Sequence, residues 1–76
     1  MSFDYRSLNG KIVEMFGTQY NFAVAIGLSE RSLSLKLNNK VSWKDAEIYK
    51  ACQLLNIQEE EIPKYFFKPQ VHVREQ

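Results

Sequence analysis

Two glycines limit how far this chain can run straight. Gly17 is followed at once by Thr18, and Gly27 is followed by Leu28 and Ser29. Glycine takes the left-handed conformation that stops a helix, and a hydroxyl just beyond can cap the next one. The segment between them can therefore hold only a short helix, predicted over Gln19–Ile26. A helix before it is predicted over Tyr5–Phe16, where Leu8, Ile12, Met15 and Phe16 make one apolar stripe despite Gly10. A third is predicted over Glu30–Leu37, with Leu33 and Leu37 pointing inward. Asn38-Asn39-Lys40 ends it, because asparagine tolerates the left-handed turn.

Beyond Lys40 the pattern repeats less sharply. Ser42 is placed to cap a fourth helix, with Asp45 as the acid of a capping box and Trp43, Ile48, Cys52 and Leu55 as its buried stripe. Asn56 is a stop. Gln58–Ile62 reads as a short fifth helix with acids near its positive end, and Pro63 argues against a helix continuing past Ile62. The tail, 68–76, alternates around Val71, His72 and Val73, as a short strand or a mobile end would. Five short helices with short connections predict an all-α domain over 1–67, followed by that extended tail.

A chain of 76 residues suits one domain. No apolar run is long enough to span a membrane, and the N-terminus lacks a signal-peptide pattern, so a cytoplasmic location is expected. One cysteine and one histidine cannot make a four-ligand metal site or a disulfide framework. No nucleophile–base pair and no glycine-rich phosphate loop is visible, so neither an enzyme nor a cofactor is expected. The net charge of +1 hides a segregation: Arg31, Lys36, Lys40 and Lys44 fall in one stretch without an acid, and the acids gather at Glu59–Glu61. Cys52 and Trp43 read as core, and His72 carries no assigned role.

The segment from Gly17 to Asn38 carries the most information. Two helices joined by so short a turn must cross steeply, which asks for a small residue at the contact, glycine in the turn and apolar ties. Ala23, Gly27 and the trio Leu28, Leu33 and Leu37 meet these needs in one register. Gln19, Ala23, Gly27 and Leu33 also match, in order, the pattern of the lambda-repressor and Cro-like helix-turn-helix family, and the segment resembles that motif over about 18–37. The run Lys36-Leu37-Asn38-Asn39-Lys40 resembles a variant found in small phage proteins. The family often has an apolar residue where this chain has Lys36, and Leu37 is expected to take over that packing. The resemblance extends over roughly Phe3–Phe67 and is nearest to small early-region regulators of phages of Gram-positive bacteria.

That resemblance implies a lambda-repressor-like DNA-binding domain whose third helix enters the major groove of operator DNA. It places Glu30, Arg31, Ser34 and Leu35 at base edges, with Arg31 suited to guanine and Leu35 to a thymine methyl. It places Thr18, Gln19, Lys36, Asn38, Asn39, Lys40 and Lys44 at phosphates. A reader this small implies a homodimer on two half-sites, joined through Tyr65–Val73 or the last two helices, and a nucleoid-associated location. Two other readings share the fold: a phage antirepressor or co-regulator that binds a partner repressor directly, and an antitoxin.

Overall fold

The computed structural model describes residues 2–70. The first three helices fall where the punctuation puts them: α1 at Arg6–Phe16, α2 at Gln19–Ile26 and α3 at Glu30–Leu37; α4 follows at Asp45–Leu55, and the fifth helix expected over Gln58–Ile62 is instead a 3₁₀ turn at Glu59–Glu61 that leads into α5 at Ile62–Phe66. Thr18 and Ser29 cap as expected; their hydroxyl oxygens accept from the N–H of Asn21 at 3.1 Å and of Ser32 at 3.0 Å.

Three helices stop by one device. Gly27, Asn39 and Asn56 all have positive φ, at 87°, 63° and 56°. Each time the next residue's N–H reaches back to the helix: Leu28 to the Ala23 carbonyl, Lys40 to that of Leu35 and Ile57 to that of Cys52, all at 2.9 Å. This is the Schellman arrangement, which satisfies carbonyls left over at the helix end. Leu28 and Ile57 then turn inward onto the core.

The core gathers around α2, which packs against α1, α3 and α4. Phe22 and Ala23 are buried, beside Leu8 and Ile12 of α1, Leu33 of α3, and Ala51 and Leu55 of α4. Phe16 meets Phe22 edge-on at 5.3 Å. A second aromatic row runs from Phe3 through Tyr5 and Trp43 to Phe66. The chain ends are tied together there. Phe3 and Pro69 form an antiparallel bridge, the Asp4 N–H donates to the Lys68 carbonyl at 2.7 Å, and the Gln70 N–H donates to that of Ser2 at 3.0 Å.

Four local expectations are corrected. Met15 is 45% exposed; the cover over α1 reaches Leu8, Ile12 and Phe16 but not Met15. Ser42 does not cap α4, and Asp45 does not close a capping box. Lys44 is the N-cap residue, and its N–H donates to Glu47 Oε1 at 2.9 Å. Pro63 does not end a helix but sits in the first turn of α5, where a missing N–H removes no bond. Lys36, not Leu37 alone, keeps the inward position of α3: it is 4% exposed, whereas Leu37 is half-buried. Within the tail, Lys68–Gln70 pairs with the N-terminal segment, and Val71–Gln76 lies outside the described residues.

Asn39 joins the two halves of this design. Its amide nitrogen donates to the Phe3 carbonyl at 2.8 Å, and its amide oxygen accepts from the Phe3 N–H at 2.9 Å. Asn39→Ala should destabilise the fold by about 2–3 kcal/mol, from two lost hydrogen bonds and a strained left-handed residue. Asn39→Gly keeps the turn and should lose only about 1 kcal/mol. Urea unfolding of the pair separates the two contributions; equal losses would mean that the left-handed turn contributes nothing.

Candidate interaction surface

The predicted reading face is α3. Glu30 and Arg31 are exposed in its first turn, directly after the Ser29 cap, and Ser34 and Leu35 are half-buried further along. The break at Gly27 keeps α2 and α3 as separate helices, so this side of α3 remains open to a partner.

The residues expected at phosphates divide differently. Lys40 and Lys44 are exposed. Lys36 is turned inward, and its ammonium lies 3.0 Å from Glu47 Oε1 and donates to the Ser42 carbonyl at 3.0 Å. With its side chain only 5% exposed, it is in no position to meet a phosphate, and that expectation is corrected. The reason is nonlocal: the position is an inward one of α3, and α4 supplies a carboxylate to receive the charge. Thr18 caps α2. Gln19 Nε2 donates to Asn9 Oδ1 at 2.8 Å. Asn38 Nδ2 donates to the Ser34 carbonyl at 2.8 Å, and Asn39 holds Phe3.

Gln19, Asn38 and Asn39 nevertheless share one wall. With Arg6, Asn9 and Lys68 they line an open polar cleft of about 770 Å³ between the N-terminal segment, the start of α2 and the loop after α3. Arg6 is not a free cation there, since its guanidinium pairs with Asp4 at 2.8 Å. Lys40 lines a smaller recess of about 150 Å³, beside Val41, Trp43 and Phe67. The indole N–H of Trp43 is buried without a hydrogen-bond partner among the described residues. Glu30 and Arg31 line neither hollow.

Sequence reasoning missed the exposed apolar residues. Tyr20 and Val24 are 57% and 63% exposed, four apart on the side of α2 away from Phe22 and Ile26. Their signal was available, because neither belongs to the Phe22–Ala23–Ile26 face. Tyr49 on α4 is 67% exposed. In the run Tyr65-Phe66-Phe67, Tyr65 and Phe66 are buried in the core and Phe67 stays half exposed.

Two carboxyls are perturbed. Hydrogen bonds from the Arg6 side chain and backbone, with its charge, hold Asp4 well below the usual carboxylate range. Burial pushes Glu47 up, but the hydrogen bonds from the Lys44 N–H and the Lys36 ammonium outweigh it and leave the carboxyl below its ordinary value of 4.5. Both groups bind protons more readily in the unfolded chain. Their contribution to stability is complete above their ordinary values and fades as pH falls through the lowered folded ones. The urea midpoint should therefore be lower at about pH 3 than at about pH 6. A midpoint that is flat or rises on acidification would contradict both assignments.

No helix among the described residues is long and apolar enough to cross a membrane, and no group of three or more potential metal-ligating side chains is found among them.

A family model that matches nearly the whole chain shows its family. It belongs to the family described as "Protein of unknown function (DUF739)", which matches residues 1–69. Among solved structures, it is similar to the solution structure of the modulator of repression (MOR) of the temperate bacteriophage TP901-1 from Lactococcus lactis. The two are 64% identical with a TM-score of 0.78, over 95% of this chain and 97% of that one. No curated protein matches the chain.

Proposed function

We propose that this chain is a phage regulator that acts on repression by binding a repressor protein directly. The observation that carries this reading is the 64% identity, over nearly the whole of both chains, to a modulator of repression. The surface supports it. A DNA-binding face needs several unpaired cations along the phosphates, since these supply most of the affinity. Between Thr18 and Lys44 the cations are Arg31, Lys36, Lys40 and Lys44, and Lys36 is held by Glu47. Arg31 stands beside the exposed Glu30. The exposed pair Tyr20 and Val24 adds apolar area of the kind protein interfaces use.

A second reading, operator binding in the Cro manner, draws on the open face of α3 with Glu30 and Arg31 exposed at its start. One titration separates the two. The chain is titrated with the purified repressor of phage TP901-1 and, separately, with operator-region DNA from that phage, each at two salt concentrations. The protein-binding reading expects a complex with the repressor in the absence of DNA, and DNA affinity no better than nonspecific. Tight DNA binding alone with a steep salt slope, and no complex with the repressor, would replace it with the operator reading.

A further inference from the structure

We propose that the pair of the buried Lys36 and the half-buried Glu47 is a positioning device. It fixes the roll of α3 and the course of the 38–44 connection without adding stability over an apolar pair of similar size, and so sets how Glu30, Arg31 and Leu35 are offered to a partner. The last clause rests on the protein-binding reading; the first does not.

The pair stands where an apolar side chain would suffice. Lys36 is 4% exposed on α3, which also buries Leu33 against the core. Removing two charges from water is costly, and their attraction often only restores what an apolar pair of similar size would give. Stability alone therefore does not account for a lysine here. What the pair adds is direction. Leu33 and Leu37 hold α3 by contacts that tolerate small rotations, whereas the Lys36 ammonium must meet two acceptors on different parts of the chain. One is the Ser42 carbonyl in the connection and the other is Glu47 Oε1 in the first turn of α4, both at 3.0 Å. Glu47 is itself fixed, because the same oxygen accepts from the Lys44 N–H at 2.9 Å. The bonds thus run from α3 through residues 42 and 44 to α4. The other ion pair among the described residues, Arg6–Asp4, lies in the N-terminal segment with its arginine side chain 89% exposed, and it cannot do this.

The test is the double variant Lys36→Met/Glu47→Gln. It leaves no unpaired charge, and the amide oxygen of the substituted glutamine can still accept from the Lys44 N–H. Three quantities are compared with the unaltered chain: the melting temperature, the residual dipolar couplings of α3 amides relative to α4, and the affinity for the purified TP901-1 repressor. The expected result is a melting temperature within about 5 °C, altered α3 couplings, and binding roughly tenfold weaker. A larger fall in melting temperature, or α3 couplings that match the unaltered chain, overturns the proposal. If the unaltered chain itself fails to bind the repressor, the protein-binding reading fails, and the melting and coupling comparison still decides the role of the pair.

Discussion

Phe22→Ala should lower the melting temperature by about 12–40 °C. Phe22 is fully buried at the centre of α2, the helix that packs on α1, α3 and α4 together, and it belongs to the core those helices share. Truncating such a ring costs about 3–5 kcal/mol, from lost transfer energy and from a cavity that the backbone cannot collapse. A domain of this size has a total stability of about 5–10 kcal/mol at best, because small domains bury a smaller share of their surface. The edge contact with Phe16 at 5.3 Å would be lost as well. Circular dichroism melting measures the outcome, with Phe22→Leu as the control that keeps most of the volume and should lose far less. A melting temperature within a few degrees of the unaltered chain for Phe22→Ala would mean that the core is not organised around α2.

Local punctuation makes most of the fold legible, because each signal acts within one turn of chain. Thr18 and Ser29 cap the helices they precede, and Gly27, Asn39 and Asn56 adopt the left-handed conformation that stops the helices before them. What escapes are features whose cause lies elsewhere in the chain. Lys36 has the look of a surface cation because its acceptors, Ser42 and Glu47, come from the next connection and the next helix. Lys44 is a poor capping residue by type, and the α4 start is made by Glu47 reaching back to its N–H. Pro63 reads as a stop because the helix it begins lasts only to Phe66, too short to leave a periodic signal. Asn38 and Asn39 look available to phosphates, yet their amides close the end of α3 and hold Phe3, a partner 36 residues from Asn39. The candidate surface is therefore legible at Glu30 and Arg31, which face water from the first turn of a capped helix. It is not legible where a polar side chain is used to hold the fold together.

The Lys36–Glu47 pair should be strongly asymmetric to single substitutions. Glu47→Ala removes the carboxylate and leaves an ammonium, on a side chain 5% exposed, with only the Ser42 carbonyl to receive it. It also removes the acceptor for the Lys44 N–H at the start of α4. Stranding a buried charge costs about 3–5 kcal/mol, and the lost cap adds to it. Lys36→Met strands the other member far less. Glu47 is 18% exposed, reaches water, and keeps the Lys44 N–H, while the methionine fills the inward position with apolar atoms. Its expected loss is about 1 kcal/mol or less. Equilibrium urea unfolding of the two single variants gives the comparison directly. Equal losses would mean that both charges are solvated in the folded chain, and that α3 is held against α4 by its leucines alone.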